Sequence, residues 1–294
     1  MDELIIAVGV NEDVTREQNP HVPITPAEIG EDIAACVEAG ASVFHLHARD
    51  PETGRTRYND GDLYREIFAA VRERTDALCY PTYVPAGLEE TYRHVVSLAE
   101  FETAPLEIGP VISGSANISA PDWSAKTFVG GEYVLLQSHA SLLYQLDVCR
   151  EYDLWVSHDV FEPGGVRSAI AAWRMGHYVR PMLLKFFMSE ERPFGFPPEP
   201  RFLQAYVDML PDDLDCEWLF LPYGVNYADA MTCLTWCITH GGHVRVGVGD
   251  NPTDPDYPPS NLERVQQIAE LARSLGRRIA TVDHVRARFG GPRR

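Results

Sequence analysis

Short apolar runs alternate with segments of helical period along the whole chain. Leu4–Val10 is the first run. A helix then opens at Thr25, with Pro26 at its first position and Glu28 three residues after the cap, and Gly40 stops it. The same alternation predicts strands at Ser42–His47, Ala77–Thr82, Leu106–Gly109, Leu154–Phe161, Met182–Phe187, Glu217–Leu221 and His243–Val248. Helices fall between them at Asp62–Arg74, Leu88–Glu100, Tyr133–Glu151, Val166–Met175, Glu199–Met209 and Tyr227–Thr239, and Asn261–Leu275 closes the series. The strand runs are short and almost continuously apolar, as strands covered on both faces should be. Eight strands in strict alternation over 294 residues predict an α/β fold, a (β/α)8 TIM barrel with 1–294 as one domain. An open doubly wound sheet would want a glycine-rich G-x-G-x-x-G turn after the first strand, and VGVNEDVTRE has none.

Composition narrows the class of partner. A hydrophobic content of 45% fills a large core, and the formal charge of −18 argues against nucleic acid. An anionic ligand would need a local cluster of Arg or Lys. The opening MDELIIAVGV lacks a basic leader, and no run is long and apolar enough for a membrane helix, so a cytoplasmic protein is expected. The six cysteines are scattered without a C-x-x-C pair, which reads as buried thiols. The Pro/Gly-rich stretches 192–200 and 250–260 read as loops.

In such a barrel the chemistry sits where strands run into the following loops. The second strand ends in VFHLHARD, so His45 and His47 leave the same face while Phe44 and Leu46 take the other. Two imidazoles there suit a divalent metal, zinc above all, which takes three protein ligands when catalytic. Asn11, Glu12, Asp13 and Arg16 follow the first strand, Thr82 and Tyr83 the third, and His158, Asp159 and Glu162 the fifth. Glu107 falls inside the fourth predicted strand and needs a partner, and Lys185 lies in the sixth. In the eighth, Arg245 inside the strand is costly without an anion, and Asp250 is its natural partner. Such a pair beside a metal can hold a carboxylate and move a proton. Tyr83, Trp123, Phe194, Phe196 and Tyr223 suggest an apolar or aromatic-tolerant pocket.

Three motifs, VPITPAE near residue 22, EAGASVFHLHARDPETGR at 38–55 and GGHVRVGVGDN at 241–251, together resemble the β-keto acid cleavage enzymes over nearly the whole chain. The resemblance implies a zinc-dependent barrel, usually a homotetramer, that condenses a β-keto acid with acetyl-CoA to give acetoacetate and a new acyl-CoA. It places the zinc-ligating histidines at His45 and His47, and the proton-abstracting pair at Arg245 and Asp250. Substrate contacts fall on Asp13 (or Glu12 beside it), Thr82 and Glu162. The family's third zinc ligand, a glutamate, falls on Gly249. That leaves a two-histidine site, with Asp250 the nearest substitute and Glu12, Asp13, Glu107 and Asp159 the others. Restoring the carboxylate by Gly249→Glu is then expected to tighten zinc binding. Competing readings are an amidohydrolase-type metal hydrolase, which would carry H-x-H on the first strand, and a metabolite-binding barrel without chemistry.

Overall fold

The computed structural model describes residues 1–84, 86–251 and 258–290. The chain begins β1 (Ile6–Gly9), α1 (Pro26–Ala39), β2 (Val43–Leu46), α2 (Gly61–Arg72), β3 (Leu78–Pro81), α3 (Leu88–Ala99) and β4 (Ile108–Ile112). An excursion of four short strands follows: β5 (Ala116–Asn117), β6 (Ala120–Asp122), β7 (Thr127–Val129) and β8 (Val134–Leu135). The chain continues α4 (His139–Glu151), β9 (Trp155–Val160), α5 (Pro163–Arg174), β10 (Met182–Met188), α6 (Pro200–Val207), β11 (Cys216–Pro222), α7 (Tyr227–Thr239) and β12 (His243–Val246). It ends with α8 (Asn261–Ser274) and α9 (Val282–Phe289).

Eight parallel strands form one sheet in the order β3-β2-β1-β12-β11-β10-β9-β4, and its two ends, β3 and β4, pack together. This is the expected (β/α)8 barrel. Local signals act as read: Thr25 Oγ1 accepts from the Glu28 amide at 3.3 Å while Glu28 Oε2 accepts from Thr25 N at 2.9 Å, and Pro26 opens the helix. Among the described residues no helix is long and apolar enough to cross a membrane. All six cysteines are free, and only Cys216 is not buried. Of the 250–260 loop, 252–257 lie outside the described residues.

Two regions depart from the sequence reading. The excursion between β4 and α4 replaces the first turn and a half of the helix expected from Tyr133, which begins at His139. Its pairings are two or three residues long, too short to leave an alternating pattern. The second is α9, an eight-residue helix in which Val285 and Phe289 are buried. Phe289 stacks on Trp155 with ring centroids 4.3 Å apart.

This helix also supplies the partner that Glu107 required. Glu107 precedes β4 rather than lying inside it, at the end of the barrel opposite the catalytic mouth. Arg286 grips its carboxylate through Nε at 2.9 Å and a terminal nitrogen at 3.1 Å. Glu217, the second residue of β11 at the same end, accepts from the Met1 amino group at 2.6 Å and from Arg288 Nε at 2.6 Å. Removing Arg286 leaves the largely buried Glu107 carboxylate only the more distant Arg72, 3.9 Å away. Arg286→Met should therefore cost about 2–3 kcal/mol, read as a lower urea midpoint with an unchanged slope. An unshifted midpoint would mean α9 contributes little to closing the barrel.

Candidate active site

The first loop is pinned before its acids reach the barrel mouth. Asn11 Nδ2 donates to the carbonyls of Pro23 and His47, each at 3.1 Å, and Asn11 Oδ1 accepts from the His47 amide at 2.9 Å. Arg49 donates to the Glu12 carbonyl at 2.9 Å and through Nε to the Gly54 carbonyl at 2.8 Å. Glu12 is held at φ +39°, a conformation few L-residues adopt. The strained turn aims its side chain inward.

There it meets the histidines. His45 and His47 are buried on β2 and just beyond it, with ring centroids 5.3 Å apart and nearly perpendicular. Glu12 Oε2 lies 3.4 Å from His45 Nε2 and contacts His47 Nε2 directly. One donor atom from each of Glu12, His45 and His47 lies within 4.8 Å of the others. His45 Nδ1 is buried without a hydrogen-bond partner. Two imidazoles and a carboxylate form a donor set of catalytic zinc, so these residues fit the metal that the histidine pair led us to expect.

Burial would push the His47 imidazole down, but Glu12 and then Asp13 outweigh it and raise it to about 9. His45 is pushed down to about 3, chiefly by burial. Burial also opposes ionisation of Glu12, yet His45, His47 and Arg245 hold its carboxyl well below the usual range. The carboxylate is thus charged and presented to both rings.

A second cluster adjoins the first. Arg245 on β12 grips Asp250 with Nε on Oδ2 and a terminal nitrogen on Oδ1, both at 2.8 Å. The same terminal nitrogen contacts Glu12 Oε1, and the other donates to the Tyr80 hydroxyl at 3.4 Å. Burial pushes Asp250 up to about 7, with Arg245 opposing and Glu12 adding to the rise. Lys185 on β10 donates to the Tyr80 hydroxyl at 2.9 Å and pairs with Asp159. Tyr80 is a site residue that the sequence reading passed over. The available signal was register: Tyr80 stands opposite His45 across the β2–β3 ladder, with its ring 4.8 Å from the imidazole.

Two glycines make room for this packing. A Cβ on Gly9 would sit 2.5 Å from Asp250 Oδ2 and 2.7 Å from Arg245. A Cβ on Gly249 would sit 2.4 Å from Glu12 Cγ and 2.9 Å from the Gly9 carbonyl. Gly249 is therefore not a vacant ligand position; the space a side chain would take is filled by Glu12. This reverses the expected effect of Gly249→Glu. The variant should bind zinc more weakly than wild type in a chelator competition, because the new side chain displaces Glu12. Tighter binding in a folded variant would contradict this packing.

The remaining expected site residues are dispersed. Asp13 stands behind His47: its Oδ1 lies 3.4 Å from His47 Nδ1, and it accepts from the hydroxyls of Thr56 and Tyr58. That is the place of a residue that orients a ligating ring. Thr82 lies at the mouth beyond β3, its amide on the Leu46 carbonyl at 3.2 Å and its carbonyl 2.7 Å from His94 Nε2. It shares the inward parity of Tyr80. Glu162 stands at the first position before α5 without a side-chain capping bond, and its charge is felt at the Tyr206 hydroxyl rather than at the histidines. His158 turns away and hydrogen-bonds Tyr178 at 2.9 Å, and Arg16 pairs with Glu28 at 2.7 Å. Of the aromatic set, Trp123 and Tyr223 line a cavity of about 710 Å³ in front of Glu12, His47 and Asp250. Tyr83 bonds Gln145 at 3.1 Å, and Phe194 and Phe196 pack on Phe161 and Phe202.

The sequence profile of the β-keto acid cleavage enzymes matches residues 3–290. The chain belongs to this family. Among similar β-keto acid cleavage enzymes, the 3-keto-5-aminohexanoate cleavage enzyme of Fusobacterium nucleatum is 29% identical over 291 residues, covering 97% of each chain. The 3,5-dioxohexanoate:acetyl-CoA acetone transferase of Paraburkholderia graminis is 34% identical, covering 91% of this chain and 88% of that protein. The structure of ObcA in complex with oxaloacetate shares the fold, with a TM-score of 0.73 at 17% identity, covering 93% of this chain and 68% of that one.

Proposed function

We propose that this β-keto acid cleavage enzyme condenses a β-keto acid with acetyl-CoA and releases acetoacetate and a new acyl-CoA. The observation that carries the reading is the juxtaposition of the Glu12–His45–His47 donor set with the Arg245-held Asp250 carboxylate, beside one cavity. The family and the named reaction of the Paraburkholderia relative support acetyl-CoA as co-substrate.

Glu12, His45 and His47 would hold zinc, which supplies Lewis-acid polarisation that makes the protons beside a ketone acidic. Asp250 takes a proton from C2 of the β-keto acid at a carboxylate oxygen that burial has made basic near neutrality. Arg245 fixes both Asp250 oxygens, and Lys185 and Tyr80 brace Arg245. The C2 carbon so released forms a bond to the acetyl carbonyl and expels the CoA thiolate. That thiolate then attacks the original keto carbon, the C2–C3 bond breaks, and Asp250 returns its proton to C2. The products are acetoacetate and the acyl-CoA of the remaining fragment.

A panel of β-keto acids with acetyl-CoA and the zinc-loaded protein, read as acetoacetate formed, tests the reading. Acetoacetate should appear with at least one member and only when acetyl-CoA is present. Its absence across the panel, or its formation without acetyl-CoA, would overturn the assignment.

A further inference from the structure

Among the described residues, one arginine lines the cavity in front of the catalytic groups, Arg192. Arg245 is held by Asp250 and Glu12, and Arg49 by backbone carbonyls. Arg192 lies on the loop after β10, where its amide donates to Ser189 Oγ at 3.0 Å. One terminal nitrogen donates to the Ile118 carbonyl of the excursion, and the guanidinium lies 5.0 Å above the Tyr223 ring. Its Nε is buried and makes no hydrogen bond, and no carboxylate of the described residues forms an ion pair with it. Yet Arg192 lines the same cavity as Glu12, His47 and Asp250. In a chain of net charge −18, a part-buried guanidinium that no described carboxylate neutralises suits an anionic group.

The cavity's acids do not fill that role. Glu190 is engaged at the start of α7, accepting from Asn226 N at 3.3 Å and Nδ2 at 2.7 Å. Glu191 faces Gly224, where a Cβ would sit 2.7 Å from its Oε2. Tyr223 relates Arg192 to the catalytic groups. Burial raises the Tyr223 phenol to about 12, Arg192 opposes this, and Glu12, Asp250 and Asp13 add to it. The charges that dominate at Asp250 are instead Arg245, Glu12 and Lys185. Arg192 thus stacks on Tyr223, and both line the cavity that Asp250 faces. The carboxylate on C1 is bonded to the carbon that Asp250 deprotonates, so it stays beside Asp250. In the proposed reaction, the part of the chain left to face Arg192 in the cavity is the end beyond the keto carbon.

We propose that Arg192 is the specificity-determining residue of this cavity and that it selects β-keto acids carrying a second carboxylate at the far end of their chain. This rests on the proposed cleavage reaction, with Arg192 reading the substrate rather than taking part in bond making.

The test compares 3-oxohexanedioate with 3-oxohexanoate, the same chain ending in methyl, and with 5-amino-3-oxohexanoate, for wild type and Arg192→Met. Wild type should favour the dianion by roughly 10–100-fold in kcat/KM, and Arg192→Met should bring that ratio close to unity. Arg192→Lys should keep part of the preference, since charge survives while the fork is lost. Preference for the methyl-ended or aminated acid by wild type would overturn the proposal. So would an unchanged ratio in Arg192→Met, or a rise in the KM for acetyl-CoA alone, which would place a CoA phosphate at Arg192. Calorimetric titration with unreactive hexanedioate and hexanoate separates this from the cleavage reading. Hexanedioate should bind wild type more tightly than hexanoate does, and Arg192→Met should lose the difference. Equal binding by wild type overturns the proposal even if cleavage is observed. A clear difference sustains it even if no β-keto acid is cleaved.

Discussion

Glu12→Gln should strip zinc and activity from the protein together. The amide keeps the size of the side chain but removes the negative charge that the two imidazoles and Arg245 face. Loss of a partner behind a metal ligand already weakens binding by 10–100-fold, so loss of a ligand should exceed about 100-fold. Asp13→Asn is the internal control. Its carboxylate stands behind His47 at 3.4 Å, so its loss should fall within that roughly 10–100-fold range. Chelator competition ranks the three proteins, with circular dichroism confirming that each is folded. If Glu12→Gln binds zinc like wild type, or Asp13→Asn is the weaker of the two, Glu12 is not the third ligand.

Asp250→Asn should separate metal binding from chemistry. The substitution keeps the shape of the Arg245 partner and leaves Glu12, His45 and His47 in place. Zinc should therefore stay bound while kcat falls by roughly 10²–10⁴-fold, the usual contribution of a positioned base. The step itself can be isolated by omitting acetyl-CoA and following deuterium exchange at C2 of the β-keto acid in D2O. Wild type should exchange well above the solvent rate, and Asp250→Asn should not. Exchange by Asp250→Asn at the wild-type rate would assign the base elsewhere.

The particular residues show how far a sequence carries such a site. His45, His47 and Arg245 lie in or beside regular strands, where a period of two fixes which side chains share the inner face. Asp250 was found as the anion that a buried Arg245 demands. Glu12 could not be chosen over Asp13 because the two neighbours lie in a turn, and what separates them is the φ of +39° at Glu12. Lys185 and Asp159 are register partners on the neighbouring β10 and β9, but Tyr80 comes from β3 and meets Lys185 only across the closed barrel. The vacancy inferred at Gly249 failed for a related reason: the Glu12 side chain that takes up that space comes from the far end of the chain. For the fold, strict alternation was enough to predict the barrel. The excursion and α9 escaped because two-residue strands and an eight-residue helix with two buried positions carry little periodic signal.

The central claim is that the acetyl group of acetyl-CoA ends in acetoacetate while its CoA leaves on the fragment beyond the keto carbon. The most direct measurement supplies acetyl-CoA with ¹³C at both acetyl carbons, together with an unlabelled β-keto acid and zinc-loaded protein. The account predicts that label appears at C3 and C4 of acetoacetate, with unlabelled acyl-CoA formed in equal amount. Labelled acetate with free CoA, or acetoacetate without label, would contradict it.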